Sequence, residues 1–66
     1  MKYLVYKISK RTGKKYWRYS KTVDNWTGIK GLAYGFTEKG AQNIVDRYNN
    51  SFRTKTWEFG IEPKEV

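Results

Sequence analysis

The sequence predicts an α+β fold: a small antiparallel sheet of three to four strands, ordered β-β-β-α-β, packed against one amphipathic helix. Three observations predict it. Two runs rich in aromatic and β-branched residues flank Lys10-Arg11-Thr12-Gly13, which reads as a β-hairpin. Ala41, Ile44, Val45 and Tyr48 recur at the i, i+3, i+4, i+7 spacing of one helical stripe. Trp57, Phe59 and Ile61 then alternate with Glu58 and Gly60, the period of a closing strand.

The hairpin is expected over residues 2–22. A four-residue connection built on a type I turn, with Gly13 supplying a positive φ at its last position, pairs Ser9 with Lys14. That register gathers Leu4, Tyr6, Ile8, Trp17 and Tyr19 on one face, which is almost wholly apolar and is expected to form the core. Tyr3, Val5, Lys7, Tyr16, Arg18 and Ser20 fall on the other face, expected to be exposed because one helix cannot cover both. A three-residue loop would bury Arg18 among apolar rings and is disfavoured.

Residues 23–31 hold Asp24, Asn25, Gly28 and Gly31 around the isolated Trp26 and read as a loop. A third strand is expected at 32–36, where Leu32, Tyr34 and Phe36 alternate with small residues. Thr37 is a good N-cap and Glu38 suits the positive end of a helix over 38–49. Gly40 costs the first turn up to about 1 kcal/mol relative to alanine, which predicts close packing on the sheet there. Asn49 and Asn50 end the helix, whose outer residues Lys39, Gln42, Asn43, Asp46 and Arg47 are nearly neutral together. The last strand is expected at 52–61, and Pro63 stops the sheet before an acidic tail at 62–66.

Residues 1–66 read as a single domain, since so short a chain has room for only one small core. Its 12 aromatic residues offset the lack of disulfides, because each large ring buries roughly 150–250 Å². The Met1 start and a strand beginning at Lys2 predict a complete amino end. With no cysteine and no histidine, the usual zinc sites, thiol chemistry and Ser-His-Asp or Cys-His nucleophiles are excluded. No Gly-Lys-Ser/Thr phosphate loop is present, and Glu58 and Glu62 lack the cluster a metal-dependent nuclease needs. The expectation is no catalytic residue, no metal, no cofactor and no enzyme. No apolar run approaches the roughly 18 residues of a membrane span; the chain reads as cytoplasmic.

The formal charge of +8 is unevenly placed. Residues 1–30 hold nine basic residues against Asp24 alone, while residues 31–66 hold five of each sign. Such a half repels itself until a polyanion or an acidic surface arrives. Basic residues interleaved with rings, as in Lys14-Lys15-Tyr16-Trp17-Arg18-Tyr19, combine phosphate neutralisation with stacking. Arg11 and Arg18 are the expected base contacts, because the guanidinium fork matches guanine edges. Lys7, Lys10, Lys14, Lys15, Lys21 and Lys30 are the expected phosphate partners, and Tyr16 the stacking ring.

The stretch Gly35-Phe36-Thr37-Glu38-Lys39-Gly40-Ala41, a strand ending in an aromatic residue before a Thr-capped helix, resembles the arm-site DNA-binding domain of tyrosine integrases. The resemblance implies a sheet, rather than a helix, that enters the major groove. Gly40 stands where that family has an acidic residue, and a strand at 52–61 would be additional to its three-stranded unit. Small basic archaeal chromatin proteins are similar in size and composition.

The sequence therefore predicts a non-enzymatic nucleic-acid-binding module, with DNA preferred to RNA. The rival is a small protein-binding module, such as a phage-type inhibitor, that docks its basic face on an acidic host surface. Trp26 and Tyr3 would anchor that partner.

Overall fold

The hairpin turn is closed from within. The computed structural model describes residues 2–64, the side chains of Phe52 and Arg53 apart; Glu65 and Val66 of the expected tail lie outside the described residues. Strands β1 (Tyr3–Ser9) and β2 (Lys15–Arg18) pair antiparallel with Tyr6 opposite Trp17 and Ile8 opposite Lys15, the expected register. Gly13 takes φ 78° and donates its N–H to the Ser9 carbonyl at 2.8 Å. Ser9 Oγ accepts from the backbone N–H groups of Arg11 and Thr12, so one hydroxyl fixes the turn.

The sheet has four antiparallel strands in the order β3 (Trp26–Thr27), β2, β1 and β4 (Trp57–Pro63). The third strand is β3 (Trp26–Thr27), inside the expected loop 23–31, and not the expected strand at 32–36. Residues 30–32 form a 3₁₀ turn instead. Beyond it Phe36 makes a single bridge to Tyr3, exchanging both backbone hydrogen bonds at 2.7 and 2.8 Å. The physical reason is that both edges of β1 are filled, by β2 and β4, and β3 occupies the outer edge of β2. Phe36 finds a place only beside Tyr3, beyond the end of β2.

Helix α1 (Glu38–Asn49) opens with Thr37 Oγ1 accepting from the Gly40 N–H at 3.1 Å. A Cβ at Gly40 would stand 3.0 Å from that hydroxyl, so the residue is small to fit its own cap and not, as expected, to approach the sheet. Ala41, Val45 and Tyr48 are buried. Glu38 also accepts from the Tyr3 hydroxyl, and this bond raises the phenol's pKa.

Strand β4 (Trp57–Pro63) begins later than the expected 52, because residues 52–55 form a 3₁₀ turn, and continues past Ile61 to the proline, because Pro63 sits opposite Tyr3 at a sheet edge, where its missing N–H costs nothing. This strand also decides which face the helix covers. Val5 pairs with Ile61 and Lys7 with Phe59, so Trp57, Phe59 and Ile61 join the Val5 face, whereas Glu58, Gly60 and Glu62 join Leu4, Tyr6 and Ile8. The core cluster of Val5, Phe36, Ala41, Val45, Tyr48 and Phe59 therefore forms on the face expected to be exposed, while Leu4 on the other face is buried as expected. The hairpin alone favoured the opposite face; three large apolar residues from β4 outweigh it, since burial scales with apolar area.

Candidate nucleic-acid interface

Inverting the faces redistributes the cations. Arg18 is 8 % exposed. Its Nη1 donates to the Tyr48 hydroxyl at 2.6 Å, its Nε to the Ser20 carbonyl at 3.0 Å, and Asp24 lies 4.0 Å from Nη1. Burial of a guanidinium is tolerable where such partners satisfy it. Arg18 is therefore buried and bonded within the fold instead of standing on an exposed face as expected, a correction that follows from the face inversion.

Lys15 and Lys30 are engaged on the opposite, open face. Glu62 accepts from Lys15 Nζ at 3.3 Å and from Trp17 Nε1 at 2.6 Å, and Lys30 Nζ stands at 3.9 Å. Burial alone would raise the Glu62 pKa, but the indole N–H and the two ammonium groups outweigh it and hold the carboxyl below its ordinary range. The Lys15 ammonium also lies 4.2 Å from the Tyr6 ring centroid. A carboxylate of the closing strand thus occupies two of the expected phosphate partners. Lys21 lies in the connection of residues 19–25 between β2 and β3, past the end of β2 that is remote from the turn, and is exposed.

The turn end differs. Lys10, Arg11 and Lys14 are exposed, and among the described residues no carboxylate forms an ion pair with any of them. Lys10 ties the turn to the segment before β4: its N–H donates to Thr56 O at 3.0 Å and its Nζ to Thr54 O at 2.6 Å. Exposed Lys55 is thereby held beside the turn.

Next to these cations the helix leaves the sheet uncovered, and an aromatic cleft opens. A cavity of about 350 Å³ is lined by Lys7, Asp24, Trp26, Tyr48, Lys55, Thr56, Trp57 and Phe59. Lys7 Nζ sits between two indoles, 4.5 Å from the Trp26 centroid and 4.1 Å from the Trp57 centroid. Contacts of this kind contribute about 0.5–2 kcal/mol each. Trp57 meets Tyr16 edge-on with centroids 5.8 Å apart. Asp24 Oδ1 accepts from Trp26 Nε1 at 2.8 Å and from the Tyr48 hydroxyl, so the Arg18–Asp24–Tyr48 network also orients the Trp26 ring.

Of the expected site residues, the structure brings together Lys7, Lys10, Arg11, Lys14 and Tyr16. It separates Lys15, Arg18, Lys21 and Lys30 from them. Neither expected partner anchor projects outward: Trp26 is half-buried against Tyr48 and Phe59, and Tyr3 packs on the core. Lys55 and Trp57 were missed as site residues. Their signal was present in Lys55-Thr56-Trp57, a cation two positions before a ring, but it needed the pairing of Ser9 with Trp57 to join the hairpin.

Compared with protein-family models, curated proteins and solved structures, the chain matches none. No helix among the described residues is long and apolar enough to cross a membrane.

Proposed function

We propose that the protein is a non-enzymatic nucleic-acid-binding module that meets DNA with the turn of its amino-terminal hairpin and the sheet surface beside it. The observation that carries this reading is the exposed set Lys10, Arg11 and Lys14, held by the Ser9-knit turn next to Lys55. A preorganised group of cations gains counterion release on meeting phosphates while losing little conformational freedom of its own. The nearly neutral outer face of α1 leaves the sheet as the binding element, in keeping with the integrase arm-site resemblance.

Binding to DNA measured at several salt concentrations tests this. Four cations on duplex phosphates correspond to a slope of log K against log salt of about −3 to −4. A flat dependence contradicts the proposal.

A second reading has its own observation. Ile29 and Leu32 are each 61 % exposed, and Tyr19, Val23 and Tyr34 are exposed as well. These residues favour a protein partner on a surface distinct from the turn. Charge reversal at Lys10 and Arg11 separates the readings, since it abolishes DNA binding in the first and spares an apolar contact in the second.

A further inference from the structure

We infer that the outer edge of β4 pairs antiparallel with the same edge of a second copy of this chain, joining two sheets into one about a two-fold axis at Phe59. This surface is separate from the turn, and the inference stands without the nucleic-acid reading. Two backbone bonds fix the phase of the strand: the Lys10 N–H donates to the Thr56 carbonyl at 3.0 Å and the Lys64 N–H to the Lys2 carbonyl at 2.7 Å. Bonded pairs recur at every second residue of an antiparallel ladder, so Glu58, Gly60 and Glu62 turn their backbone groups toward β1, and Trp57, Phe59 and Ile61 turn theirs outward. Among the described residues no strand pairs with that outer side.

The two edges of the sheet are unequal. β3 is two residues long, too short to seat another strand, whereas β4 runs seven residues in unbroken register with β1. It holds no lysine and no bulge, the devices that ordinarily keep an edge unpaired, and its proline is the last residue. A chain with one long free edge closes its pairing at a dimer, because an isologous contact uses that edge in both copies.

The strand that fits must set apolar residues beside Trp57, Phe59 and Ile61 and no carboxylate beside Glu58. β4 of a second copy meets both conditions in one register. With Phe59 opposite Phe59, Trp57 faces Ile61 in both directions, and each facing pair exchanges two backbone bonds. Glu58 then faces Gly60, and Glu62 faces Thr56. A shift of two residues either way sets Glu58 opposite Glu58 or Glu62 of the second copy, and like charges directly opposite are destabilising. Larger shifts set Pro63 opposite Phe59, where its missing N–H removes bonds, or run into the 3₁₀ turn at Phe52–Lys55. Gly60 supplies a second observation: the Tyr6 phenol lies across it, where a Cβ would collide. In the selected register the Tyr6 hydroxyl stands beside Glu58 of the second copy and can donate to it. The formal charge of +8 opposes association only weakly, since the two-fold axis sends the two turns to opposite ends of the sheet. Strand rise and spacing separate them by roughly 25 Å, beyond the screening length of about 8 Å at physiological salt.

The test combines sedimentation equilibrium with amide hydrogen exchange over roughly 10 µM to 1 mM protein, the range suited to a small edge contact. The mean mass is expected to rise from that of one chain toward that of two, and the Phe59 and Ile61 amides to become more protected as it does. A chemically synthesised chain carrying an N-methyl group on the Ile61 amide loses an outward donor and no bond within the fold. It is expected to weaken the dimer about tenfold or more, as is Ile61→Pro, and the synthetic chain keeps the test open where the proline variant does not fold. A mass of one chain across the whole range, with both amides unprotected, overturns the inference. So does a dimer indifferent to the N-methyl group, which assigns association to the apolar residues around Ile29 and Leu32. Protection of the β4 amides only after addition of an extended Lys-Val repeat peptide also overturns it, in favour of a basic partner strand.

Discussion

The two ends of the β1–β2 hairpin carry cations of the same kind and put them to opposite uses. At the end covered by α1, Arg18 lies in the core with its guanidinium bonded to Tyr48 and Ser20. At the turn end, Lys10, Arg11 and Lys14 stand in solvent on a backbone fixed by Ser9. The difference teaches that a cation's role follows from what faces it across the fold. A phenol and a carboxylate make Arg18 structural, Glu62 draws Lys15 and Lys30 onto the open face, and the turn has no acidic counterpart among the described residues.

The sharpest way to break this contrast is at Arg18. Arg18→Ala removes the guanidinium that donates to the Tyr48 hydroxyl and faces Asp24, and is expected to destabilise the fold by about 2–3 kcal/mol, read from urea unfolding. Arg18→Met, which keeps the volume, is expected to recover part of that loss. Were Arg18→Ala neutral for stability and damaging for DNA affinity, the assignment of the two ends would be reversed.

At the turn, replacing Lys10, Arg11 and Lys14 together with alanine is expected to lower DNA affinity about a hundredfold at low salt and to flatten the log–log slope by about 3. Circular dichroism should stay close to wild type, and the unfolding midpoint should fall only slightly, through loss of the Lys10 Nζ bond to the Thr54 carbonyl. A triple variant that binds as well as wild type would remove the turn from the interface.

Glu62→Gln sharpens the comparison on the open face. It leaves an amide oxygen to accept from Trp17 but removes the counterion of Lys15 and Lys30, and is expected to cost about 1 kcal/mol at neutral pH. Since folding lowers the Glu62 pKa, the stability it contributes is complete above the ordinary glutamate range. That contribution is lost as the pH falls through its own lowered value. Wild type and Glu62→Gln unfolding curves should therefore converge in acid, and a difference that persists there would contradict the ion-pair account. The smallest effect is expected for Lys21→Ala, less than twofold on DNA affinity, because Lys21 lies past the far end of β2.

Local signals made the hairpin register, the helix and the core of the last strand legible. Gly13 fixed the turn, Thr37 the start of α1, and the stripe Ala41, Ile44, Val45 and Tyr48 its inward side. The choice of face was not legible in the hairpin, since it belongs to a sum over three strands. Alternation showed Trp57, Phe59 and Ile61 sharing a face, but only the pairing of Val5 with Ile61 shows which one. The apparent strand at 32–36 failed for a related reason: its alternation is real, yet β2 and β4 already occupy the edges of β1. The same inversion explains the site. Lys7 and Tyr16 share the face that was expected to be exposed and are half-buried toward its turn end, while Arg18, two residues from Tyr16, lies where α1 covers it.

The most direct measurement is a backbone amide shift map during titration with short single-stranded and duplex DNA. The account expects the largest shifts at Lys10, Arg11, Lys14 and Lys55, extending to Lys7, Tyr16 and Trp57, with Lys21, Lys30 and the Ile29–Leu32 segment unmoved. Shifts centred on Lys21, Lys30 and Ile29–Leu32, with the turn silent, would contradict it.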